Sequence, residues 1–388
     1  MAITVALGAN VPAHAADGLE SAMGKALFER QWIGAPASTH SADGLGPLFD
    51  ARACSSCHVD GGAGEASTAD GGTLIGSGII VRLGNDEPYG SDPDYGTQLQ
   101  QRALQGIAAE ARITLRWIMA DKRRTPKLVI EDLGYGPLAP ETRASIRRAP
   151  SLRGAALIAA VGDDEILARE DPADRDGDGI SGRANRIENG AGGRVIGRFG
   201  WKASEPTLDD QAARAFSRDM GLSTPKLTDP AGECTEAEPA CRNAPHGGTR
   251  EAPEVPGTLV SLVLDYIATL SPPKRALNRP GEAAFTQAGC GSCHAGSIRS
   301  DLLLHDMGPG LADGVREGDA AGAEWRTAPL LDVAGSLGRG GLLHDARARS
   351  VAEAVSWHDG EGARARNAYL ALAPEERAAL DRYVMGEE

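Results

Sequence analysis

The chain has 388 residues, of which 41% are hydrophobic and only 4% aromatic, and its formal net charge is −14. This length exceeds what one simple core accommodates and indicates two or three domains. The negative charge argues against nucleic acid or an anionic membrane as a partner. No segment has the roughly 20 consecutive apolar residues that a membrane-spanning helix needs.

The first 16 residues resemble the end of a secretory signal peptide. A short apolar stretch, Ile3–Leu7, is followed by Ala13-His14-Ala15, a small-x-small cleavage pattern. The usual positively charged start is missing, so an ordinary N-terminal segment is the alternative. The sequence therefore predicts export, with the mature protein in the periplasm.

The pentapeptide Cys-x-x-Cys-His occurs twice in the chain, and it is the pattern that attaches c-type haem covalently. Two thiols about one helical turn apart bond to the haem vinyl groups, and the next histidine presents its imidazole to the iron. A zinc site or a redox dithiol is the alternative, but either would leave the two histidines without a role. We therefore predict two covalently bound haem c groups, haem one held by Cys54, Cys57 and His58, and haem two by Cys290, Cys293 and His294.

Three carboxylates stand at alternate positions, Asp174, Asp176 and Asp178, directly before Gly179. This alternation with a turn-forming glycine is the leading half of a calcium loop. The twelfth position carries Asn185, where such loops have a bidentate glutamate. A calcium site and a solvated acidic turn therefore both stay open.

The two remaining cysteines, Cys234 and Cys241, lie in a short polar loop. This spacing predicts a small-loop disulfide, which fits an oxidising compartment. A redox-active dithiol is the alternative.

Two apolar segments with helical spacing predict helices that close domains. Val260–Leu270 stops before Pro272, and Pro374–Val384 starts with proline and acidic residues. Each segment follows one Cys-x-x-Cys-His motif, so the chain reads as an internal repeat whose first copy carries a long insertion.

The predicted fold class is mainly α, with two cytochrome c-like haem domains and long loops. The expected boundaries are residues 17–272 for the N-terminal haem domain, with the insertion at about 121–256, and residues 273–388 for the C-terminal haem domain.

Several segments resemble the bacterial di-haem cytochrome c peroxidases and their relative MauG. These are Met23–Phe28, Trp325–Leu331, Leu342–Arg347 and Val351–His358. Closer still is the branch of di-haem oxidoreductases labelled predicted thiol oxidoreductases, which Asp43–Pro47, Gly197–Lys202 and Asp219–Gly221 resemble as well. The resemblance covers nearly the whole chain and implies a di-haem oxidoreductase. The peroxidases hold structural calcium, but nothing maps their site onto Asp174, Asp176 and Asp178.

The sixth ligand of a haem separates an electron carrier from a catalyst. In the peroxidases one haem has a distal methionine, and the residue best placed for that role here is His358. The resemblance thus implies a bis-histidine haem two, with His294 opposite His358 and a lowered reduction potential. Met307 is the competing ligand. His344 is expected to form hydrogen bonds near haem two or to lie in a solvent-facing turn, and His305 is undecided.

Haem one has no evident distal partner, because no histidine lies between His58 and His246. We predict an open iron that binds peroxide, unless Met119, His40 or His246 reaches it. Cleavage of the O–O bond also needs a proton donor, and the sequence does not identify this residue.

The predicted function is a periplasmic di-haem oxidoreductase in which haem one activates peroxide and haem two relays or stores electrons. Trp201 and Trp325 are candidates for the electron path between the haems, with simple packing as the alternative. A soluble electron donor or acceptor, such as a small cytochrome, is the expected partner. A non-catalytic electron-transfer cytochrome and MauG-like oxidation of a protein substrate are the alternatives.

Overall fold

The computed structural model of the protein describes residues 18–39, 41–66, 73–74, 78–120 and 123–388. The predicted signal-peptide remnant, residues 1–16, and the candidate ligand His40 lie outside the described residues. The predicted domain boundaries stay predictions.

The structure mixes helices and strands, with about 30% of residues helical and 17% in strands, so the prediction of a mainly α fold is wrong. The clearest omission is the pair of strands Arg112–Ala120 and Arg123–Glu131, which pair antiparallel along their whole length. Apolar and polar residues alternate along Arg112–Trp117, and this period of two favours a strand. The mainly α prediction followed from the two cytochrome c-type motifs, which carry no information about the sequence between them.

The helices are short and distributed along the whole chain. They are α1 Gly18–Phe28, α2 Cys54–Cys57, α3 Ala155–Ala159, α4 Asp163–Leu167, α5 Leu208–Met220, α6 Pro239–Arg242, α7 Gly257–Thr269, α8 Arg279–Gln287, α9 Val333–Gly338, α10 Val351–Ser356, α11 Ala363–Ala371 and α12 Pro374–Met385. The two predicted closing helices are confirmed as α7 and α12. No helix in the described ranges has the length and apolar character needed to cross a membrane.

The strands form several small sheets. They are β1 Ile33–Gly34, β2 Asp43–Leu45, β3 Leu48–Phe49, β4 Thr73–Leu74, β5 Ile79–Gly84, β6 Gln98–Leu99, β7 Arg102–Ala103, β8 Arg112–Ala120, β9 Arg123–Glu131, β10 Arg143–Arg148, β11 Arg186–Glu188, β12 Arg194–Ile196, β13 Leu304–Asp306 and β14 Glu324–Arg326. Two three-stranded sheets have the orders β10-β5-β6 and β4-β8-β9, and the other strands pair in twos.

Each closing helix packs against the helix that precedes its own haem motif. Helix α7 packs on α1, where Phe28 and Tyr266 meet edge to face at 5.2 Å. Helix α12 packs on α8 in the same way, with Phe285 and Tyr383 at 5.4 Å. Such aromatic pairs add stability beyond the area they bury. Both pairs form hydrophobic clusters against which the first cysteine of each motif packs.

The predicted disulfide is present. Cys234 and Cys241 are joined, with their Cα atoms 5.8 Å apart, and both side chains are buried. The bridge closes the loop that leads into α6.

Candidate functional site

Both Cys-x-x-Cys-His motifs line one cavity of about 840 Å³. This volume is near the upper end of the roughly 300–1,000 Å³ that small-molecule and cofactor sites span. The wall is mainly apolar, with polar groups at a few places. The fold therefore joins two motifs that are far apart in the sequence into a single site.

Each motif forms one helical turn. The backbone N–H of His58 donates to the Cys54 carbonyl at 2.9 Å, and that of His294 donates to the Cys290 carbonyl at 3.0 Å. Residues three and four apart on a helical turn lie on the same face. Two thiols and one imidazole therefore face the cavity from each motif.

Three histidines lining the cavity hold their rings in the same manner. The Nδ1 atoms contact the backbone carbonyls of Gly62, Arg299 and Ala354, at 3.3 Å for His58, 3.2 Å for His294 and 2.9 Å for His358. A ring that donates through Nδ1 keeps the lone pair of Nε2 for a metal.

Burial keeps these three imidazoles neutral. It lowers the pKa of His58 and of His294 to about 4, and it also lowers the pKa of His358. A neutral imidazole is the form that binds a metal. The three rings are thus in a metal-binding state at neutral pH.

The structure brings His294 and His358 together. After burial, the charge of His358 is the next cause of the lowered His294 pKa. His358 follows α10 directly, and Gly362 leaves room for it, because a Cβ atom on Gly362 would lie 3.0 Å from the His358 Cβ. The same Cβ would lie 3.2 Å from Met307 Cε, so the competing ligand is also close. The choice between His358 and Met307 stays a prediction.

Helix α5 and the loop before it contribute to the cavity wall. Gln211, Phe216 and Asp219 of α5 line the cavity, as does Glu205. Burial raises the pKa of Glu205, and Arg214 Nε lies 2.7 Å from its Oε1. The sequence did not single out this buried carboxyl.

Two of the three remote ligand candidates for haem one lie away from the cavity. The side chain of Met119 is 61% exposed on β8, and His246 contacts the Arg242 carbonyl at the surface. Neither residue lines the cavity wall.

His305 is held by two carboxylates next to the second motif. Its Nδ1 lies 2.6 Å from Glu361 Oε2, and its Nε2 lies 3.0 Å from Asp301 Oδ2. Burial alone would lower the pKa of His305, but hydrogen bonds to Asp301, Cys293 and Glu361 raise it to about 12. This ring is therefore a buried imidazolium that fixes two acidic side chains, a role the sequence left undecided.

The two candidate tryptophans flank His344 on the cavity wall. Trp325 stacks on the His344 ring at 3.8 Å, and the Trp201 ring meets it edge-on at 6.4 Å. Arg147 and Lys202 lie 4.4 and 4.7 Å from the centre of the Trp325 ring. Cations over an aromatic face stabilise the electron-rich ring and oppose the loss of an electron. This charge arrangement favours Trp201 over Trp325 as an electron relay.

The cavity residues fit a haem group. Among the described residues, the Nη1 atoms of Arg82 and Arg147 are buried without a hydrogen-bond partner, and both arginines belong to the wall. Such uncompensated donors need an acceptor, and haem carries carboxylates that would provide one. The thiol pairs, the neutral imidazoles and these arginines together match the parts of the cofactor.

The acidic loop brings its three carboxylates together. Ligand oxygens of Asp174, Asp176 and Asp178 lie within 4.8 Å of one another. Asn185, at the twelfth position, is turned inward, where its Nδ2 donates to the carbonyls of Lys202 at 2.8 Å and Glu317 at 2.9 Å. Asn185 therefore does not complete a calcium loop.

The family model described as "Di-haem oxidoreductase, putative peroxidase" matches residues 138–300 and 298–386. One solved structure is similar, hydrazine synthase from Kuenenia stuttgartiensis pressurised with xenon, at 14% identity over 62% of this chain and 72% of that chain. Its TM-score of 0.32 is too low to support an argument. No curated protein matches the chain. Because the family model covers well over half of the 388 residues, the chain belongs to the di-haem oxidoreductase family.

Proposed function

We propose that this protein is a periplasmic di-haem oxidoreductase with two covalently attached haem c groups, which uses peroxide as its oxidant at haem one. The observation that carries the proposal is the single cavity lined by both Cys-x-x-Cys-His motifs and by His358. Two redox centres that lie in the same cavity can exchange electrons directly inside the protein.

The chain's own residues divide the tasks. Cys54, Cys57 and His58 hold haem one, and Cys290, Cys293 and His294 hold haem two, with His358 as its second axial ligand. When bound, the two irons supply the one-electron changes of oxidation state. The two motifs differ, and this difference is the basis of the division: His358 acts electrostatically on the His294 ring, whereas no histidine is among the causes that shift the His58 pKa. The first motif thus serves as the substrate side and the second as the relay.

Glu205 moves the proton that peroxide reduction needs. The departing oxygen develops negative charge, and a nearby carboxyl with a raised pKa can protonate it. Glu205 is buried, lines the cavity, and has its pKa raised by burial. Arg214 keeps the side chain in position.

Electrons pass between the two centres by way of Trp201. Its indole N–H donates to the Arg148 carbonyl at 2.7 Å, and none of the described cations lies over its ring. A small soluble cytochrome supplies or accepts the electrons. The disulfide between Cys234 and Cys241 supports an oxidising compartment for the protein.

A pyridine haemochrome assay tests the proposal. The purified chain should contain two c-type haems, and the double variant Cys290→Ala/Cys293→Ala should contain one. The matched control Cys234→Ser/Cys241→Ser removes the disulfide and should keep both haems. A wild-type chain without covalent haem would overturn the proposed function.

A further inference from the structure

A pair of buried acids lies beside the first motif, and the proposed reaction does not use it. The Nε2 atom of Gln98 donates to Asp50 Oδ2 and to Asp219 Oδ1, at 2.9 Å in both cases. Asp50 is only 3% exposed and Gln98 is fully buried, while Asp219 lines the cavity. The backbone N–H of Asp50 also donates to the Asp219 carbonyl at 2.8 Å, so the two residues are fixed relative to each other.

This geometry favours a proton on one of the two acids at neutral pH. Two carboxylates that share one amide donor in a buried site cannot both ionise without a large cost. The pKa of Asp50 is raised to about 7, first by burial and second by the charge of the neighbouring Asp219. Burial raises the pKa of Asp219 as well.

The surrounding charges do not compensate the pair fully. Arg102 on β7 acts on Asp50, while Arg82 on β5 and Arg218 on α5 act on Asp219. Glu233 adds negative charge near Asp219, and Glu110 interacts with Asp50. Near neutral pH the pair is therefore close to equal populations of its two protonation states. A small change in local charge can then change how many protons the pair binds.

The first motif lies within the electrostatic range of this pair. The negative charge of Asp219 raises the pKa of both the Cys54 and the Cys57 thiols, and Asp50 acts on Cys57 in the same direction. A change of charge at a haem attached through these sulfurs would therefore change the proton affinity of the two acids. The interaction is reciprocal, as any linkage between two sites must be.

We propose that Asp50, bridged by Gln98 to Asp219, is a redox-linked proton site that binds one proton when the first haem site gains an electron and releases it when that electron leaves. The inference rests on the proposed attachment of a haem at Cys54 and Cys57. One electron comes from an external one-electron donor and one proton from solvent. An O–H bond forms at Asp50, and the net charge of the region does not change.

The consequence for function is that the protein stores a proton next to the cavity whenever it stores an electron there. Reduction of peroxide to water consumes two electrons and two protons. A site that loads both together reduces the charge that each turnover has to build up in an apolar cavity.

The test is the pH dependence of the reduction potential of haem one, measured by spectroelectrochemical titration of the loaded full-length protein from about pH 5 to about pH 9. The wild-type potential should fall by up to about 59 mV per pH unit near neutral pH, the value of a tenfold change in proton activity for a one-electron couple. The Asp50→Asn variant should show a nearly flat potential over this range. The control Asp92→Asn changes a similarly buried aspartate whose carboxylate accepts hydrogen bonds from other residues than Gln98, and it should keep the wild-type slope.

A second variant keeps the test decisive if Asp50→Asn does not load haem. Asp219→Asn retains Asp50 but removes its negative neighbour, so the sloping region should move to lower pH. An Asp50→Asn variant with the wild-type slope would overturn the proposal, as would an Asp219→Asn variant whose sloping region is unmoved. Two haems with a pH-independent wild-type potential would overturn the proton site alone, whereas absence of haem would overturn the proposed function.

Discussion

Three cavity histidines use the same side-chain geometry. In His58, His294 and His358 the Nδ1 atom is directed to a backbone carbonyl, which orients the ring and leaves Nε2 able to bind a metal. Burial adds to this by keeping each ring neutral. The local hydrogen bond thus fixes the direction of each ring, and burial fixes its protonation state.

Replacing His358 by methionine should raise the reduction potential of haem two, because a thioether ligand favours the reduced iron more than an imidazole does. Spectroelectrochemical titration of the His358→Met variant measures this change. The control Met307→Leu removes the competing ligand and should leave the potential unchanged. If Met307→Leu shifts the potential and His358→Met does not, Met307 is the ligand.

Replacing Glu205 by glutamine should slow the reaction with peroxide by roughly 10²- to 10⁴-fold, the usual contribution of a positioned proton donor. The carboxyl acts in its protonated form, so the wild-type rate should fall as the pH rises through its raised pKa. Stopped-flow absorbance of the Soret band gives the rate. Glu188→Gln, on the exposed side of β11, is the matched control. A Glu205→Gln variant with the wild-type rate would remove this residue from the mechanism.

The sequence identified those site residues that are close together along the chain. The Cys-x-x-Cys-His ligands lie within one helical turn, so their spacing alone predicts that they meet. Asp50 and His305 could not be found in this way. Asp50 depends on Gln98 and Asp219, and His305 depends on Glu361, all brought near by the fold.

Helices were predicted well where apolar residues recur at helical spacing. The predicted segment Val260–Leu270 corresponds to α7, Gly257–Thr269, and Pro374–Val384 corresponds to α12, Pro374–Met385. The antiparallel pair of β8 and β9 was not predicted, although apolar and polar residues alternate along Arg112–Trp117 of β8. Arg124 of β9 lies 3.9 Å from the Trp117 ring and donates to backbone carbonyls in the segment before α10, so tertiary contacts hold this element in place.

The acidic loop between α4 and β11 gives a prediction for calcium. If Asp174, Asp176 and Asp178 bind the ion, free calcium at 100 times the dissociation constant should stabilise the fold by about 2.7 kcal/mol, and a chelator should remove this gain. Thermal unfolding with calcium and with chelator measures the difference. Asp176→Asn should lose the effect, whereas the control Asp86→Asn, in another exposed loop, should keep it. Identical unfolding temperatures in both buffers would identify an ordinary acidic turn.

At the scale of the whole molecule, the decisive feature is the single cavity that both motifs share. The sequence predicted two haem sites and their unequal surroundings, but it could not show that they face one space. That arrangement depends on how distant segments pack, such as Trp325 of β14 against His344 and the Arg147 side chain of β10 over Trp325. No local pattern in the sequence encodes these contacts.

Electron paramagnetic resonance of the ferric protein tests the central claim, that one cavity holds two unlike haem sites. The proposed function predicts one high-spin signal from haem one, for which His58 would be the single protein ligand. It also predicts one low-spin signal from haem two, for which His294 and His358 would supply two ligands. Two low-spin signals of equal intensity, unaffected by peroxide, would contradict this account.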